Sequence, residues 1–240
     1  MTRRAVALLC AGAAGVFVAG CESTAEKSAK LAKAGGTLAQ GTRVKVTQAN
    51  AQVVVVSATP LTDANGTAAA VALRNTTGKS LYNLPISVVV LSPAGKKVAG
   101  NDAAGLDPSL THVAVLSPGQ VTWWVDDQLF PTGTAAKVKA TVGKAGAAPP
   151  TTPVFPLSAT KLVDDPTSGV LASGTVRNAT AKPVATLTVE GVSLKGGKPI
   201  AAGRGAVTSL AAGASSPFRV FFIGKPTGGQ LVLTAAPSGS

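Results

Sequence analysis

Side chains able to do chemistry are few in this chain, and their spacing limits what that chemistry is. His112 is the one imidazole among 240 residues. Nucleophilic triads, zinc sites and His-based acid/base pairs each need partners that the chain does not supply. Asp126 and Asp127, with Asp102 and Asp107, carry the charge a hard cation needs, but no spaced ligand pattern joins them, so turn formation is the expectation. A hydrolase working with carboxylates alone would need two of them to meet in space. With 10 Asp and Glu in all, most in turn-like surroundings, catalysis is not expected. Gly196-Gly197-Lys198 reads as a hairpin turn, since a phosphate loop lies between a strand and a helix. No catalytic residue, metal site or cofactor is assigned.

Trp123 and Trp124 are the only tryptophans. Neighbours on a strand point to opposite faces. Val121, Trp123 and Val125 share one face, matched further on by Phe218 and Val220, and that face is expected in the core. Trp124 then shares the other face with Thr122 and Asp126, where an outward indole stacks on a sugar ring or anchors a partner. Cover by a neighbouring unit or a long loop is the competing expectation. Trp124, His112 and Asp126 are therefore the candidate binding residues. Asn65-Gly66-Thr67, Asn75-Thr76-Thr77 and Asn178-Ala179-Thr180 match the glycosylation sequon, but Asn bonds its own backbone at strand ends, so a role in the fold is expected.

The cysteines divide by position. Arg3 and Arg4 precede a charge-free apolar run from Ala5 to Val18, too short for a comfortable membrane span. Residues 1–20 read as an export signal. Val18-Ala19-Gly20-Cys21 resembles the lipobox of bacterial lipoproteins: small residues admit the backbone to a peptidase groove, and only a thiol takes the diacylglyceryl thioether. Cys10 would be lost with the leader, leaving Cys21 acylated and no disulfide possible. Two or more acyl chains, at about 0.8 kcal/mol per buried methylene, hold a protein on a membrane. Residues 21–42 read as a lipidated tether.

The rest of the composition indicates the elements that must position these residues. The chain is 45% hydrophobic with 27 Gly and 16 Pro, which disfavours both disorder and helical bundles. Internal similarity then sets the architecture. Ala72-Leu73-Arg74-Asn75-Thr76-Thr77-Gly78-Lys79 recurs as Thr175-Val176-Arg177-Asn178-Ala179-Thr180-Ala181-Lys182. Ser57-Ala58-Thr59 recurs as Ser158-Ala159-Thr160, and Gly95-Lys96 as Gly197-Lys198, in the same order. Unit 1 is expected over residues 43–143 and unit 2 over 153–240, with a linker at 144–152. Strands are expected over residues 53–56, 86–91, 113–116, 121–125 and 136–142 of unit 1. Those of unit 2 are expected over 154–160, 170–178, 185–194, 218–223 and 230–236. Short strands separated by turn residues, in units of this length, fit an all-β fold of two tandem immunoglobulin-like sandwiches.

Gly174-Thr175-Val176-Arg177-Asn178-Ala179-Thr180, an apolar strand ending near Leu194, a Gly turn, and Gly213 before Phe218-Arg219-Val220 resemble the FxLYD-type sandwich domains of exported lipoproteins. Unit 1 is similar through Leu73–Lys79 and Gly119–Val125. Neither unit has the aromatic-Asp pair that names the family: Leu91-Ser92-Pro93 and Leu194-Lys195 stand there. The overall layout is similar to that of actinobacterial lipoproteins. The resemblance implies an extracytoplasmic binding or scaffold module without catalytic residues.

The expectation is thus a lipid-anchored protein on the outer face of a cell membrane. It would bind or scaffold at the membrane–wall interface, using Trp124 and the long loop from Gly100 to Leu116. A ligand-free spacer in an envelope complex is the alternative, and a wall hydrolase the third. Loss of Arg3 and Arg4 takes the net charge from +12 to +10. Spread through the chain, that charge suits anionic lipid or a wall polymer by long-range attraction. Nucleic acid is not an expected partner, given the location. Partners are the membrane, through the lipid, and a wall polymer or envelope protein.

Overall fold

The computed structural model describes residues 43–150 and 152–238. The expected leader, the motif ending at Cys21 and the tether lie outside the described residues. Among those described, regular structure is all β apart from one short 3-10 turn, and no helix is long and apolar enough to cross a membrane. The protein has an all-β sandwich fold, and Gly41–Ser240 forms one compact unit.

The first repeat contains β1 (Val53–Asp63), β2 (Gly66–Asn75), β3 (Leu81–Leu91), β4 (Lys97–Gly100), β5 (His112–Leu116), β6 (Val121–Leu129) and β7 (Lys137–Val142). One sheet has the order β1-β2-β6. In the other, β3 pairs with β7 on one edge and with β4 and then β5 on the opposite edge. Their inward side chains, among them Val71, Leu73, Leu84, Ile86, Val88 and Trp124, form a continuous apolar core. Each such buried aliphatic contributes about 1.5–3 kcal/mol relative to exposure.

The second repeat contains β8 (Leu157–Asp165), β9 (Gly169–Arg177), β10 (Val184–Lys195), β11 (Lys198–Leu210), β12 (Ser215–Gly224) and β13 (Gln230–Pro237). Here the strands join in one six-stranded sheet, β13-β10-β11-β12-β9-β8, curled around a core that includes Leu187, Val189, Phe218, Val220 and Phe222. The sheet is continuous because β11 pairs with β12 over Ala201–Arg204. Glycine permits that approach. A Cβ on Gly203 would lie 1.7 Å from the Phe221 carbonyl oxygen, and one on Gly205 would lie 1.8 Å from that of Arg219. The first repeat replaces this stretch with a loop between β4 and β5. The loop is tied down by buried Asn101, whose Oδ1 accepts from Val88 N–H at 2.7 Å and whose Nδ2 donates to the Ile86 and Leu110 carbonyls.

Three strands are absent from the sequence expectation: the short β4, and β2 and β11, which are Ala- and Gly-rich, a composition with low strand propensity. The latter two lie between packed layers, where small side chains allow close approach. Ala69, Val71 and Leu73 of β2 face their own core, while Ala68, Ala70 and Ala72 face the other way. That second face meets Val192, Ala202 and Ile223 of the second repeat, with Trp123 and Val125 completing an apolar seam.

The repeated Asn-x-Thr is a matched clamp. Asn75 and Asn178 are both 0% exposed. Asn75 Nδ2 donates to the Lys79 and Leu116 carbonyls, and its Oδ1 accepts from Thr77 N–H and Thr77 Oγ1. Asn178 repeats this with Lys182, Leu210, Thr180 N–H and Thr180 Oγ1. Neither Asn has positive φ, so hydrogen bonding rather than left-handed backbone accounts for the residue type. Asn75→Ala and Asn178→Ala each strand buried polar groups and are expected to cost about 2–4 kcal/mol, similar in the two repeats. Urea unfolding of the two variants measures this. A loss below half a kcal/mol in either would contradict the clamp.

Candidate functional site

The alternation of β6 assigns its side chains to two different surfaces. Trp124 points into the core of the first repeat and is 1% exposed, with its Nε1–H donating to the Ser109 carbonyl at 3.1 Å. Trp123 and Val125 point into the seam, while Val121, nearer the strand's start, is exposed. The expected faces are therefore reversed: Trp124 is the core residue, and the Trp123 face is covered by the second repeat. The reason is that both faces are buried over β2 and the middle of β6, a condition under which alternation no longer separates inside from outside.

β6 is also the free edge of its sheet. An unpaired edge N–H buried away from water needs an acceptor. Glu190 of β10 provides one, its Oε1 accepting from Val125 N–H at 3.3 Å. Glu190 lies on the outward face of β10, directly across from Arg204 of β11. Arg204 reaches over the seam: Nη1 is 3.8 Å from Asp127 Oδ1, and Nη2 donates to Ser109 Oγ. Ser109 Oγ in turn donates to Asp107 Oδ1, which also caps the 3-10 turn Pro108–Leu110 by accepting from Ser109 N–H at 2.8 Å. Arg204 Nε and Asp127 Oδ1 are buried without a hydrogen-bond partner among the described residues.

This polar strip holds more carboxyls than its one cation can balance. Burial pushes the Glu190 carboxyl up to about 7, against the opposing pull of Arg204. Burial likewise raises Asp126 to about 6 and raises Asp127. Asp126 Oδ1 accepts from Gln128 N–H at 3.0 Å. Burial lowers the His112 imidazole, so it is neutral at pH 7; its Nδ1 contacts Thr111 Oγ1 at 3.0 Å.

Beside the strip lies a cavity of about 390 Å³. From the first repeat, Tyr82, His112, Ala114 and Trp124 line it; from the second, Phe155, Thr188, Glu190 and Ala236. Ala147, Ala148, Pro149 and Pro153, from the connection between repeats, form a further wall. That connection is fixed by Gly146 N–H donating to the Tyr82 carbonyl at 2.8 Å, and by a contact between Tyr82 OH and Thr152 Oγ1. The volume falls in the range, about 300–1,000 Å³, that holds small ligands. Of its hydroxyls, those of Ser109 and Thr188 bond within the protein, Thr188 to Ser238. Glu190 bonds only Val125 among the described residues, so its carboxyl has acceptor capacity left, as has the His112 ring.

The structure thus brings His112 and Trp124 to one cavity. Asp126 is buried nearby and does not line it. Asp102 is exposed and paired with Lys97 at 2.6 Å, remote in role from Asp107 and Asp126. No group of three metal-ligating side chains occurs among the described residues. Glu190 and Arg204 were not among the candidates. Their signal was a single charge inside an otherwise apolar run, Leu187-Thr188-Val189-Glu190-Gly191-Val192 and Ala201-Ala202-Gly203-Arg204-Gly205-Ala206.

No family model and no curated protein matches the chain. Among solved structures, the crystal structure of red sea bream transglutaminase is similar at 14% identity and a TM-score of 0.20. The match covers 92% of this chain and 34% of that one, a likeness too slight to bear on fold or activity.

Trp124→Ala opens a core cavity and removes an indole that holds the Ser109 loop, with an expected cost of about 3–5 kcal/mol. Denaturant unfolding checks it. The raised carboxyls also set a pH dependence. A carboxyl whose folded pKa exceeds its unfolded one binds extra protons in the folded state, so stability falls as pH rises between the two values. For Glu190 that window runs from 4.5 to about 7, and for Asp126 from 3.8 to about 6. The thermal midpoint is expected to be higher near pH 5 than at pH 8. Glu190→Gln is expected to remove roughly 2 kcal/mol of the difference. A variant with the wild-type pH profile would show that Glu190 is not the titrating group.

Proposed function

We propose that this chain is a lipid-anchored, extracytoplasmic protein that binds a ligand or partner without catalysis at the membrane–wall interface. The observation that carries the binding role is the cavity between the repeats, lined from both and retaining unspent polar groups. Among the described residues a single carboxyl, Glu190, lines it, which favours recognition over a two-carboxylate hydrolysis. The anchor rests on Arg3, Arg4, the apolar run and Val18-Ala19-Gly20-Cys21. The similarity to FxLYD-type lipoprotein domains belongs to the same reading. Its alternative is a rigid spacer in an envelope complex, which the apolar seam between repeats favours.

Cells fed a labelled fatty acid are expected to label the wild-type protein and not Cys21→Ser; an unlabelled wild type overturns the anchor. Cross-linking in cells separates binding from spacing. Wall fragments or proteins captured by the wild type and reduced in Ala114→Leu, which adds three carbons to the cavity wall, indicate binding there. Capture unchanged by the substitution indicates the spacer.

A further inference from the structure

Charge is distributed unevenly in this protein in a way that bears on the cavity. The chain carries 22 Lys and Arg, with a net charge of +12, yet among the described residues neither type lines the cavity. The guanidinium of Arg204, across from Glu190 on β11, is directed at Asp127 and Ser109 instead. The acidic group on the wall is Glu190, fixed through Oε1 by Val125 N–H and with acceptor capacity to spare. Three aromatic side chains, Tyr82, Trp124 and Phe155, line the same space, together with Ala114, Pro149 and Ala236. An anion entering would find a carboxyl and no cation. A wholly neutral apolar molecule would leave that carboxyl unmatched, which costs free energy in a desolvated site. A protonated amine on an apolar body satisfies both surfaces: its N–H groups donate to the carboxyl, and its charge is favoured by aromatic rings.

We infer that the cavity is a binding site for a small organic ammonium, with Glu190 taking the ammonium and Tyr82, Trp124 and Phe155 enclosing the apolar body. This rests on the binding role above and names the chemical class of its ligand. Affinity follows pH, because the site must hold an ionised Glu190. The groups facing that carboxyl are Arg204 and Asp127 across the seam, Asp126 on the same strand as Asp127, and His112 on the cavity wall. Burial favours the protonated carboxyl in the empty cavity, and His112 gains a competing charge only in acid. An ammonium therefore binds more tightly as pH rises from 5 to 8.

The test is calorimetric titration of the full chain with three probes of like shape: 2-phenylethylammonium, 2-phenylethanol and 3-phenylpropionate. Saturable binding of the ammonium is expected, at least about tenfold tighter than either analogue and strengthening from pH 5 to pH 8. Glu190→Gln keeps an acceptor for Val125 N–H and is expected to lose about tenfold for the ammonium alone. Ala114→Leu narrows the cavity and should weaken binding of every probe, and unfolding curves check that both variants fold. Preference for the alcohol or the carboxylate, weakened in Ala114→Leu, overturns the ammonium class and leaves the cavity a binding site. No binding of any probe overturns the ammonium assignment. The binding role then falls only if in-cell capture is also unchanged by Ala114→Leu.

Discussion

The alanine face of β2 cannot be buried within its own repeat. Its opposite face already fills the first core, so Ala68, Ala70 and Ala72, with Trp123 and Val125, need cover from elsewhere. Val192, Ala202 and Ile223 provide it, and their close approach depends on the small side chains of both β2 and β11. Other features of the seam follow from this contact. Asp63 of β1 reaches across to accept from Gly224 N–H at 2.7 Å, and the free edge of β6 is brought against β10 and β11.

Bringing an unpaired strand edge into a buried seam creates a polar problem that the apolar contact does not solve. Glu190 answers it by capping Val125 N–H, and the guanidinium of its cross-strand neighbour Arg204 is turned elsewhere. Arg204 faces Asp127 and Ser109, so its charge is shared between two acceptors. Buried ion pairs of this kind seldom add stability over apolar packing, because desolvation offsets their attraction, but they do penalise misaligned packing of the surfaces they join. The incomplete bonding of Arg204 Nε and Asp127 Oδ1 fits a strip that sets alignment more than it adds energy.

The cavity arises from a difference between the repeats. In the second, β11 runs unbroken and crosses to β12 through Gly203 and Gly205. In the first, the corresponding stretch leaves the sheet as the Asn101–Thr111 loop, which sets Ser109 beneath Trp124 and turns His112 and Ala114 toward the second repeat. A symmetric pair of repeats would not present those residues together. The chain linking the repeats then closes another side with Ala147, Ala148 and Pro149.

Much of the all-β character was legible in the sequence because it rests on local chemistry. The hairpin at Gly196 and Gly197 requires positive φ, and the Asn-x-Thr clamps bond within a few residues of themselves. Repetition also set the expectation of two related units, since order and spacing survive in the sequence alone, while residues Gly41–Ser240 form one compact unit. What escaped, besides the four-residue β4, was β2 and β11, whose alanines and glycines lack strand propensity and acquire their role only through layers packed on both sides. The facing of Trp123 and Trp124 escaped for a related reason: alternation separates two faces but not a core from a seam. Glu190 and Arg204 appear in the sequence as isolated charges, and only the pairing of β10 with β11 against β6 makes them one strip. The sequence by itself determined which residues turn, clamp and repeat, because those interactions are short in range. The tertiary structure decided which sheet face is buried twice and which carboxyl meets a cavity, because both depend on surfaces far apart in the chain.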